Sequence, residues 1–232
     1  MTPVIELKNV SKTYEIKKNK VTKALQGVDL VVEPEDFVAI MGPSGSGKST
    51  LLHILGLLDR HFDGSYFLNG QDIKKLSKDE LADLRGEEIG FVFQRFNLLK
   101  RTSVMDNILL PTVYLPKKDD QKRAWELMEK LGIKELVDNK SNEISGGEVQ
   151  RVAIARGLIM KPSLLLADES TGNIDTKTAH QIMEILRQIN KEGTTILLIT
   201  HEEEIAQYAD RIIRLRDGRF EEREQSWRYP LY

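Results

Sequence analysis

The chain has 232 residues, of which 40% are hydrophobic and 30% charged, a composition that excludes a disordered or fibrous protein and suits one substantial α/β core. Its formal net charge of −2 argues against a broad nucleic-acid-binding surface, which needs clustered lysine and arginine. The sequence has no cysteine for disulfides or thiolate metal sites, no apolar run of about 20 residues and no signal-peptide pattern, so a cytoplasmic protein is predicted.

The predicted elements begin with an antiparallel region. Residues 6–14, 27–32 and 64–68 have strand patterns bounded by turn residues. Short apolar runs that follow, with helical segments between several of them, predict a mostly parallel sheet; they are residues 37–40, 89–93, 164–167, 195–199 and 212–215. The sequence therefore predicts an α/β core with an N-terminal antiparallel β subdomain.

Residues 101–160 carry no strand pattern and are predicted to form a helical lobe inserted into that core. Apolar residues recur at helical spacing in residues 122–131 and 147–160. Gly157 interrupts the second of these segments at a cost of about 1 kcal/mol relative to alanine, which indicates close packing there. The apolar residues expected inside the lobe include Trp125, Leu127, Met128 and Leu131. No linker divides the chain, so residues 1–232 are predicted to be one domain.

A glycine-rich segment follows the first parallel strand. Residues 42–49, GPSGSGKS, fit G-x-x-x-x-G-K-[ST] between a strand pattern and the helix pattern of residues 50–58. Such glycines let backbone N–H groups converge on phosphate oxygens; Lys48 is predicted to reach the outer phosphates and Ser49 to bind Mg²⁺. The alternative, a serine-rich turn with a surface lysine, leaves the spacing unexplained. The predicted nucleotide-binding residues are Gly42, Pro43, Ser44, Gly45, Ser46, Gly47, Lys48, Ser49 and Thr50.

Two acidic residues follow the strand pattern of residues 164–167. Asp168 is predicted to hold Mg²⁺ through its water shell, and Glu169 is suited to polarise an attacking water as a general base. An apolar run that ends in two acids is also the pattern of a strand followed by a helix cap. The presence of the glycine-rich loop in the same chain favours hydrolysis of a nucleoside triphosphate.

Residues 145–148, Ser-Gly-Gly-Glu, suit the start of a helix, where backbone groups and a hydroxyl could meet an anion. Here the chain resembles the ATP-binding-cassette (ABC) ATPases, whose signature reads close to Leu-Ser-Gly-Gly-Gln. The resemblance extends over nearly the whole chain, and it includes Gln94 after a strand, residues 172–175 after the acids and His201 after residues 195–200. These residues follow the order of the family's motifs, which coincidence does not explain.

The resemblance implies a role for each matching residue. Tyr14 would stack on adenine, and Gln94 would contact Mg²⁺ or the attacking water. His201 would contact the γ-phosphate and position Glu169, while Asp175 would help to organise a dimer interface. Without the resemblance, Tyr14 would be interpreted as a strand residue and Gln94 as a polar loop residue. His201 and Asp175 would be interpreted as helix caps. In a head-to-tail dimer of two copies, the signature residues would act on the partner's ATP; they are Ser145, Gly146, Gly147 and Glu148.

The chain also departs from the family pattern. Ile144 and Glu148 replace the usual leucine and glutamine, which are mild changes, and Ser170 replaces the usual proline after the catalytic glutamate. Without this proline the turn that holds Glu169 would be looser, which would affect the turnover rate. Because both acids are present, we still expect hydrolysis.

The resemblance implies a peripheral Mg²⁺-dependent ATPase at the cytoplasmic face of the membrane, which couples ATP-driven dimerisation to separate permease subunits. Residues 91–99 and 106–111 look most like the branch of lipoprotein-release, macrolide-export and antimicrobial-peptide-resistance ATPases, which implies export or extraction of a lipoprotein, peptide or drug-like substrate. One alternative is a regulatory ABC ATPase of the cell-division type, which controls a membrane partner without transport. Another is a cassette protein acting on DNA or ribosomes, but the coiled-coil insertion, second cassette or basic surface expected for it is not visible.

Overall fold

The computed structural model describes residues 2–17, 20–93, 97–168 and 175–221, and within these ranges the chain forms ten strands and seven α-helices. The strands are β1 (Ile5–Lys17), β2 (Lys20–Val32), β3 (Phe37–Met41), β4 (Asp63–Leu68), β5 (Gln71–Asp72), β6 (Ile89–Val92), β7 (Leu164–Asp168), β8 (Thr195–Thr200), β9 (Arg211–Arg216) and β10 (Arg219–Phe220). The helices are α1 (Lys48–Leu55), α2 (Lys78–Glu88), α3 (Val104–Leu109), α4 (Asp120–Lys130), α5 (Gly146–Leu158), α6 (Thr176–Lys191) and α7 (Glu203–Ala206), with 3₁₀ turns at Ile73–Lys75, Leu110–Val113 and Lys134–Leu136. None of the described helices is long and apolar enough to cross a membrane.

Six strands form the larger sheet, in the order β10-β9-β3-β8-β7-β6. Each neighbouring pair from β9 to β6 is parallel, and β10 is antiparallel to β9. Every residue of β3 and β8 is buried, because central parallel strands are covered on both faces. All the apolar runs assigned to a parallel sheet from the sequence are strands of this sheet, and the α/β prediction is confirmed.

The second sheet is antiparallel and has the order β2-β1-β4-β5. Ile5 of β1 lies opposite Val32 on one side and Leu68 on the other, so the predicted antiparallel region is confirmed. One cluster of buried side chains joins this sheet to α1 and to one face of the larger sheet. The antiparallel strands and α1 therefore share a core, which holds the residues before and after the glycine-rich loop in one body.

Residues 101–160 contain α3, α4 and α5, and a single bridge between Ser103 and Lys140 is their only β-pairing. Their buried side chains continue the cluster on the other face of the larger sheet, so the division into a separate lobe remains a prediction. The prediction of an interior position is wrong for Trp125, which is 37% exposed. The apolar stripe of α4 is formed by Ala124, Leu127 and Met128, and Trp125 lies about 100° around the helix from Ala124.

The close packing predicted at Gly157 is present between α5 and β6. A Cβ atom built on Gly90 of β6 would lie 2.2 Å from the carbonyl oxygen of Gly157, and one on Gly157 would lie 3.1 Å from Leu165 Cδ1. The two backbones therefore meet directly, since no side chain separates them. This contact sets the position of α5 on the sheet.

Substitution of Gly90 by alanine is expected to lower the free energy of unfolding by about 3 kcal/mol, because the added methyl group meets a backbone oxygen that cannot rotate away. Urea denaturation measures the change. Gly86→Ala in α2 is the matched control, since its added methyl group meets only the flexible end of Leu115 at 3.1 Å. An unfolding midpoint for Gly90→Ala equal to that of the Gly86→Ala control would contradict the packing described.

Candidate phosphate-binding and signature sites

The glycine-rich loop connects β3 to α1 and is closed by its own lysine. Gly47, with a φ of +109°, stands at the N-cap of α1, and Lys48 begins the helix. The Lys48 ammonium donates hydrogen bonds to the carbonyl oxygens of Gly42 at 2.7 Å and Pro43 at 2.9 Å. Because an ammonium has three donors, one N–H remains to face an anion in the loop.

Backbone from two other strands packs against the glycines of this loop. A Cβ on Gly42 would lie 2.1 Å from the carbonyl oxygen of Leu215, and one on Gly47 would lie 2.3 Å from that of Ala24. Ser46 is only 3% exposed, and its hydroxyl has no hydrogen-bond partner in the structure as described. Such a buried polar group is costly unless a ligand pairs with it. This unpaired hydroxyl, in the same loop as the Lys48 ammonium, fits a bound phosphate.

The start of α1 adds backbone donors to the same place. Gly47 offers no side-chain cap, and no acidic residue lies in the first turn. The N–H groups at the start of a helix lack partners within the helix and attract anions. Lys48, Ser49 and Thr50 all belong to this first turn, so the structure brings the predicted phosphate-binding residues together.

The turn between β9 and β10 supports the loop from the far end of the chain. The Gly218 N–H donates to the Ser46 carbonyl at 3.0 Å, and the Gly218 carbonyl accepts from the Gln26 N–H at 2.8 Å. Sequence reasoning missed this support. The dipeptide Asp217-Gly218, with φ values of +48° and +75°, is a hairpin-turn signal that could have revealed the turn, but not its contact with the loop.

Asp168 and His201 lie at the same edge of the larger sheet as the loop. Met41, the last residue of β3, pairs with Thr200 of β8, and Asp168 of β7 pairs with Ile199 of β8. His201 follows Thr200 directly. Because neighbouring strands are about 4.8 Å apart, the backbone of Asp168 lies about 10 Å from that of β3. Gln94 and Glu169, which were also predicted for this site, lie outside the described residues.

No group of three or more His, Cys, Asp or Glu residues that could hold a metal ion exists within the described ranges. Mg²⁺ is usually bound by one or two protein side chains together with phosphate oxygens and water. Ser49, at the start of α1, and Asp168, at the end of β7, are the described residues that could supply such ligands. The donor set fits a metal ion carried by a nucleotide.

Tyr14 lies on β1, one strand away from the loop. It pairs with Thr22 of β2, two residues before Ala24, whose carbonyl touches the loop at Gly47. The residue is 38% exposed. A partly exposed aromatic ring that lies one strand away from the phosphate loop is suitable for stacking on a nucleotide base.

The signature segment forms the start of α5. Ser145 is the N-cap, and its hydroxyl oxygen accepts a hydrogen bond from the Glu148 N–H at 3.4 Å. The Glu148 carboxylate in turn accepts from the Ser145 N–H and from the Ser145 hydroxyl, both at 2.7 Å. These hydrogen bonds from Ser145 lower the pKa of Glu148, so its carboxylate is ionised at neutral pH. The helix start is thus held in a fixed conformation.

A cleft of about 560 Å³ opens at this helix start, and its lining residues come from α5, α6 and the turn after α4. Asp175 caps α6 by accepting hydrogen bonds from the Thr178 N–H at 3.1 Å and the Thr178 hydroxyl at 2.6 Å, which lower the pKa of Asp175. A Cβ on Gly147 would lie 2.7 Å from Thr178 Cγ2, so glycine allows this approach. The lining residues are Gly132, Ser145, Gly146, Gly147, Glu148, Arg151, Asp175, Thr178 and Gln181.

The structure therefore places Asp175 beside the signature, both as a helix cap and as part of the cleft. Among the described residues that line this cleft, none belongs to the glycine-rich loop. The chain thus has two helix starts suited to anions, and the described loop residues do not line the cleft at the second one.

Comparison with known proteins gives a consistent family. A family model described as "ABC transporter" matches residues 25–172. A lipoprotein-releasing system ATP-binding protein of Rhodopseudomonas palustris is 46% identical over 94% of this chain and 99% of its own length. A macrolide export ATP-binding/permease protein of Bdellovibrio bacteriovorus is 52% identical over 93% of the length of this chain. This chain spans only 33% of the length of that relative.

Solved structures agree with the sequence relatives. A dimeric ATP-binding cassette in a post-hydrolysis state, bound to ADP and Pi, superposes with a TM-score of 0.86 at 39% identity. The match covers 97% of this chain and 100% of that one. The similarity therefore includes both the glycine-rich loop and the signature helix.

Proposed function

This chain belongs to the ABC transporter family, and we propose that it is an Mg²⁺-dependent ATPase that couples ATP-driven dimerisation to separate membrane permease subunits. In this proposal it is a peripheral protein at the cytoplasmic face of the membrane. The observation that carries the proposal is the presence in one chain of two helix starts suited to phosphate, Lys48 at the start of α1 and Ser145 at the start of α5. We propose that each is half of a phosphate site and that one copy does not bring the halves together.

A head-to-tail dimer joins these halves. Lys48, the Ser46 hydroxyl and the first turn of α1 bind the triphosphate of ATP in one subunit. Ser145 and the glycines after it then bind the same γ-phosphate from the other subunit. The solved cassette that is dimeric and bound to ADP and Pi supports this arrangement.

Hydrolysis needs an attacking water and a base. Glu169 accepts a proton from the water as its oxygen attacks the γ-phosphorus, and His201 holds the γ-phosphate and orients Glu169. Ser49, Asp168 and Gln94 would hold Mg²⁺, which would supply positive charge to the phosphate oxygens. Loss of the γ-phosphate removes the contact shared by the two subunits, and the dimer opens.

The relatives indicate the class of cargo. The lipoprotein-releasing relative matches this chain over 99% of its own length, and the macrolide export relative carries the matching segment within a longer ATP-binding/permease protein. We therefore assign this chain to export or extraction of a lipoprotein, peptide or drug-like substrate.

Capture of the membrane partner tests this proposal. Glu169→Gln is expected to slow ATP hydrolysis by about 100-fold while ATP binding persists, because only the base is lost. The variant should then accumulate as an ATP-bound dimer, visible by size-exclusion chromatography, and should copurify from detergent-solubilised membranes with its permease. Lys122→Gln, a change at an exposed lysine of α4, is the control and should leave hydrolysis unchanged.

The identity of the captured protein separates the alternatives. A permease with a large extracytoplasmic domain supports export or extraction. Capture of a division-type membrane protein that regulates wall hydrolysis would show that this chain regulates its partner and does not transport a substrate. Capture of ribosomes or DNA would contradict the membrane assignment.

A further inference from the structure

Lys12 is a buried lysine beside the adenine-stacking residue of the proposed ATP site. It precedes Tyr14 by two positions on β1, and its ammonium lies over the Tyr14 ring. Lys12 is only 8% exposed, although lysine is almost never buried unless it is paired. The contacts that satisfy its ammonium group should therefore reveal why it is there.

Three groups surround the Lys12 ammonium. It forms an ion pair with Asp59 Oδ2 at 2.6 Å, donates to the carbonyl oxygen of His61 and lies 5.0 Å from the centroid of the Tyr14 ring. The other carboxylate oxygen of Asp59 accepts from the His61 N–H at 2.9 Å. Burial alone would raise the pKa of Asp59, but the hydrogen bonds from Lys12 and His61 together hold that pKa below its usual value. The Asp59 carboxylate is thus ionised at neutral pH.

Asp59 connects this cluster to the phosphate-loop helix. The N–H groups of Leu58 and Asp59 donate to the carbonyl of His53, in the last turn of α1, at 2.8 and 3.0 Å. Lys48 begins the same helix, which is about 12 Å long. The ion pair therefore links the strand that carries Tyr14 to one end of α1, and the glycine-rich loop lies at the other end.

We infer that Lys12 is a positioning residue for the nucleotide base: its ammonium covers one face of the Tyr14 ring, leaves the other face to adenine, and ties the ring through Asp59 to the phosphate-loop helix. This inference rests on the proposed binding of ATP at Tyr14. A ring held by a cation loses less freedom when the base stacks on it, so part of the ordering is complete before ATP binds.

The same strand provides an internal comparison. Lys8 lies 5.2 Å from the centroid of the Phe67 ring and forms an ion pair with Glu6 at 2.9 Å, but its side chain is 59% exposed. It contacts none of the residues assigned to ATP in the structure as described. Lys8→Met therefore removes a β1 cation from an aromatic ring of the neighbouring strand β4 without touching the proposed site.

The test compares the affinities of the full chain for ATP and for inorganic tripolyphosphate, measured by isothermal titration calorimetry. Lys12→Met is expected to weaken ATP binding about 5-fold, because the stacking ring loses its support. Tripolyphosphate lacks a base, so its affinity should change less than about 2-fold. Lys8→Met should change neither affinity. Equal weakening of both ligands by Lys12→Met would mean that Lys12 supports only the fold or the loop, and would overturn the inference.

Two further variants make the result decisive. Tyr14→Ala should weaken ATP binding, and adding Lys12→Met to it should have no further effect, because the cation then has no ring to hold. If Tyr14→Ala leaves ATP affinity unchanged, the assignment of adenine to Tyr14 fails and the inference about Lys12 fails with it, whereas a loss with Tyr14→Ala but none with Lys12→Met overturns the role of Lys12 alone. If Lys12→Met does not fold, Asp59→Asn decides: a selective loss of ATP affinity supports the inference, and equal or absent effects on both ligands overturn it.

Discussion

Replacement of Lys48 by alanine is expected to lower kcat/KM for ATP about 1,000-fold, the largest effect we predict for any single side chain. An ammonium within about 4 Å of a phosphate charge contributes about 4 kcal/mol at the effective dielectric constant near a protein surface, which corresponds to roughly that factor. The Lys48 ammonium already lies across the loop, on the carbonyls of Gly42 and Pro43, so it meets the phosphates without a large movement. A coupled phosphate-release assay measures the loss.

The matched control is Lys74→Ala, which removes an ammonium that lies 4.8 Å from the centroid of the Phe62 ring, outside the loop. It should retain wild-type hydrolysis. Unfolding in urea should show whether Lys48→Ala also disturbs the loop itself. Full ATP affinity in a correctly folded Lys48→Ala protein would contradict the assignment of residues 42–49 to phosphate.

Gly146→Asp should abolish ATP-dependent dimerisation and lower hydrolysis up to about 1,000-fold, while leaving ATP binding to the single subunit intact. An acidic residue in the first turn of a helix stabilises the helix, so α5 is expected to fold normally. The added carboxylate would face the γ-phosphate held by the partner, and the two negative charges repel each other. Size-exclusion chromatography with ATP measures the dimer.

Lys78→Asp provides the matched control for Gly146→Asp. It introduces an acid at the same position of α2, where Ser77 and Glu80 form a capping box like that of Ser145 and Glu148. Its dimerisation and hydrolysis should match the wild type. Equal losses in the control would show that an added acid at a helix start, and not the signature site, caused the effect.

Mixing the two inactive variants tests the shared site directly. A dimer of Lys48→Ala with Gly146→Asp carries one composite site with both defects and one with neither. An equal mixture should therefore recover hydrolysis, up to about a quarter of the wild-type value, the limit reached when subunits pair at random and the sites act independently. Absence of any recovery, with mixed dimers present, would contradict a site built from two subunits.

The sheet and the phosphate loop could be predicted because their signals are local. A buried parallel strand needs a short apolar run, and β3 and β8 are buried along their whole length. Residues 42–49 combine the residue spacing of the G-x-x-x-x-G-K-[ST] motif with a preceding strand and a following helix. An ordinary turn does not require this combination. The ends of secondary-structure elements were less predictable, since the helix expected over residues 50–58 runs from Lys48 to Leu55.

The signature required more than local chemistry. Ser77 and Ser145 both begin capping boxes, and the hydrogen-bond pattern of the two helix starts is the same. What distinguishes Ser145 is the pair of glycines after it and the cleft that it shares with Asp175. The resemblance to a family supplied this distinction, because propensity and spacing alone describe both segments equally well.

Contacts between distant segments were missed because no local pattern encodes them. Lys12 reads as a polar residue of a strand, and only the fold brings it to Asp59. The support of Ser46 by Gly218 likewise depends on β9 lying next to β3. The roles of Gln94 and Glu169 remain predictions from the sequence, since both lie outside the described residues.

The hydrogen bond between Ser46 and Gly218 has a consequence for the newly synthesised chain. Both strands that flank β3 come from residues beyond 194, and the turn that supports the loop comes later still. Ribosomes add about 5–20 residues per second, so roughly 10 to 30 seconds separate the synthesis of Ser46 from that of Gly218. During that interval the loop sequence exists without its supports. The loop therefore gains its backbone contact with Gly218 only after the β9–β10 turn has been synthesised, so its final conformation is completed late.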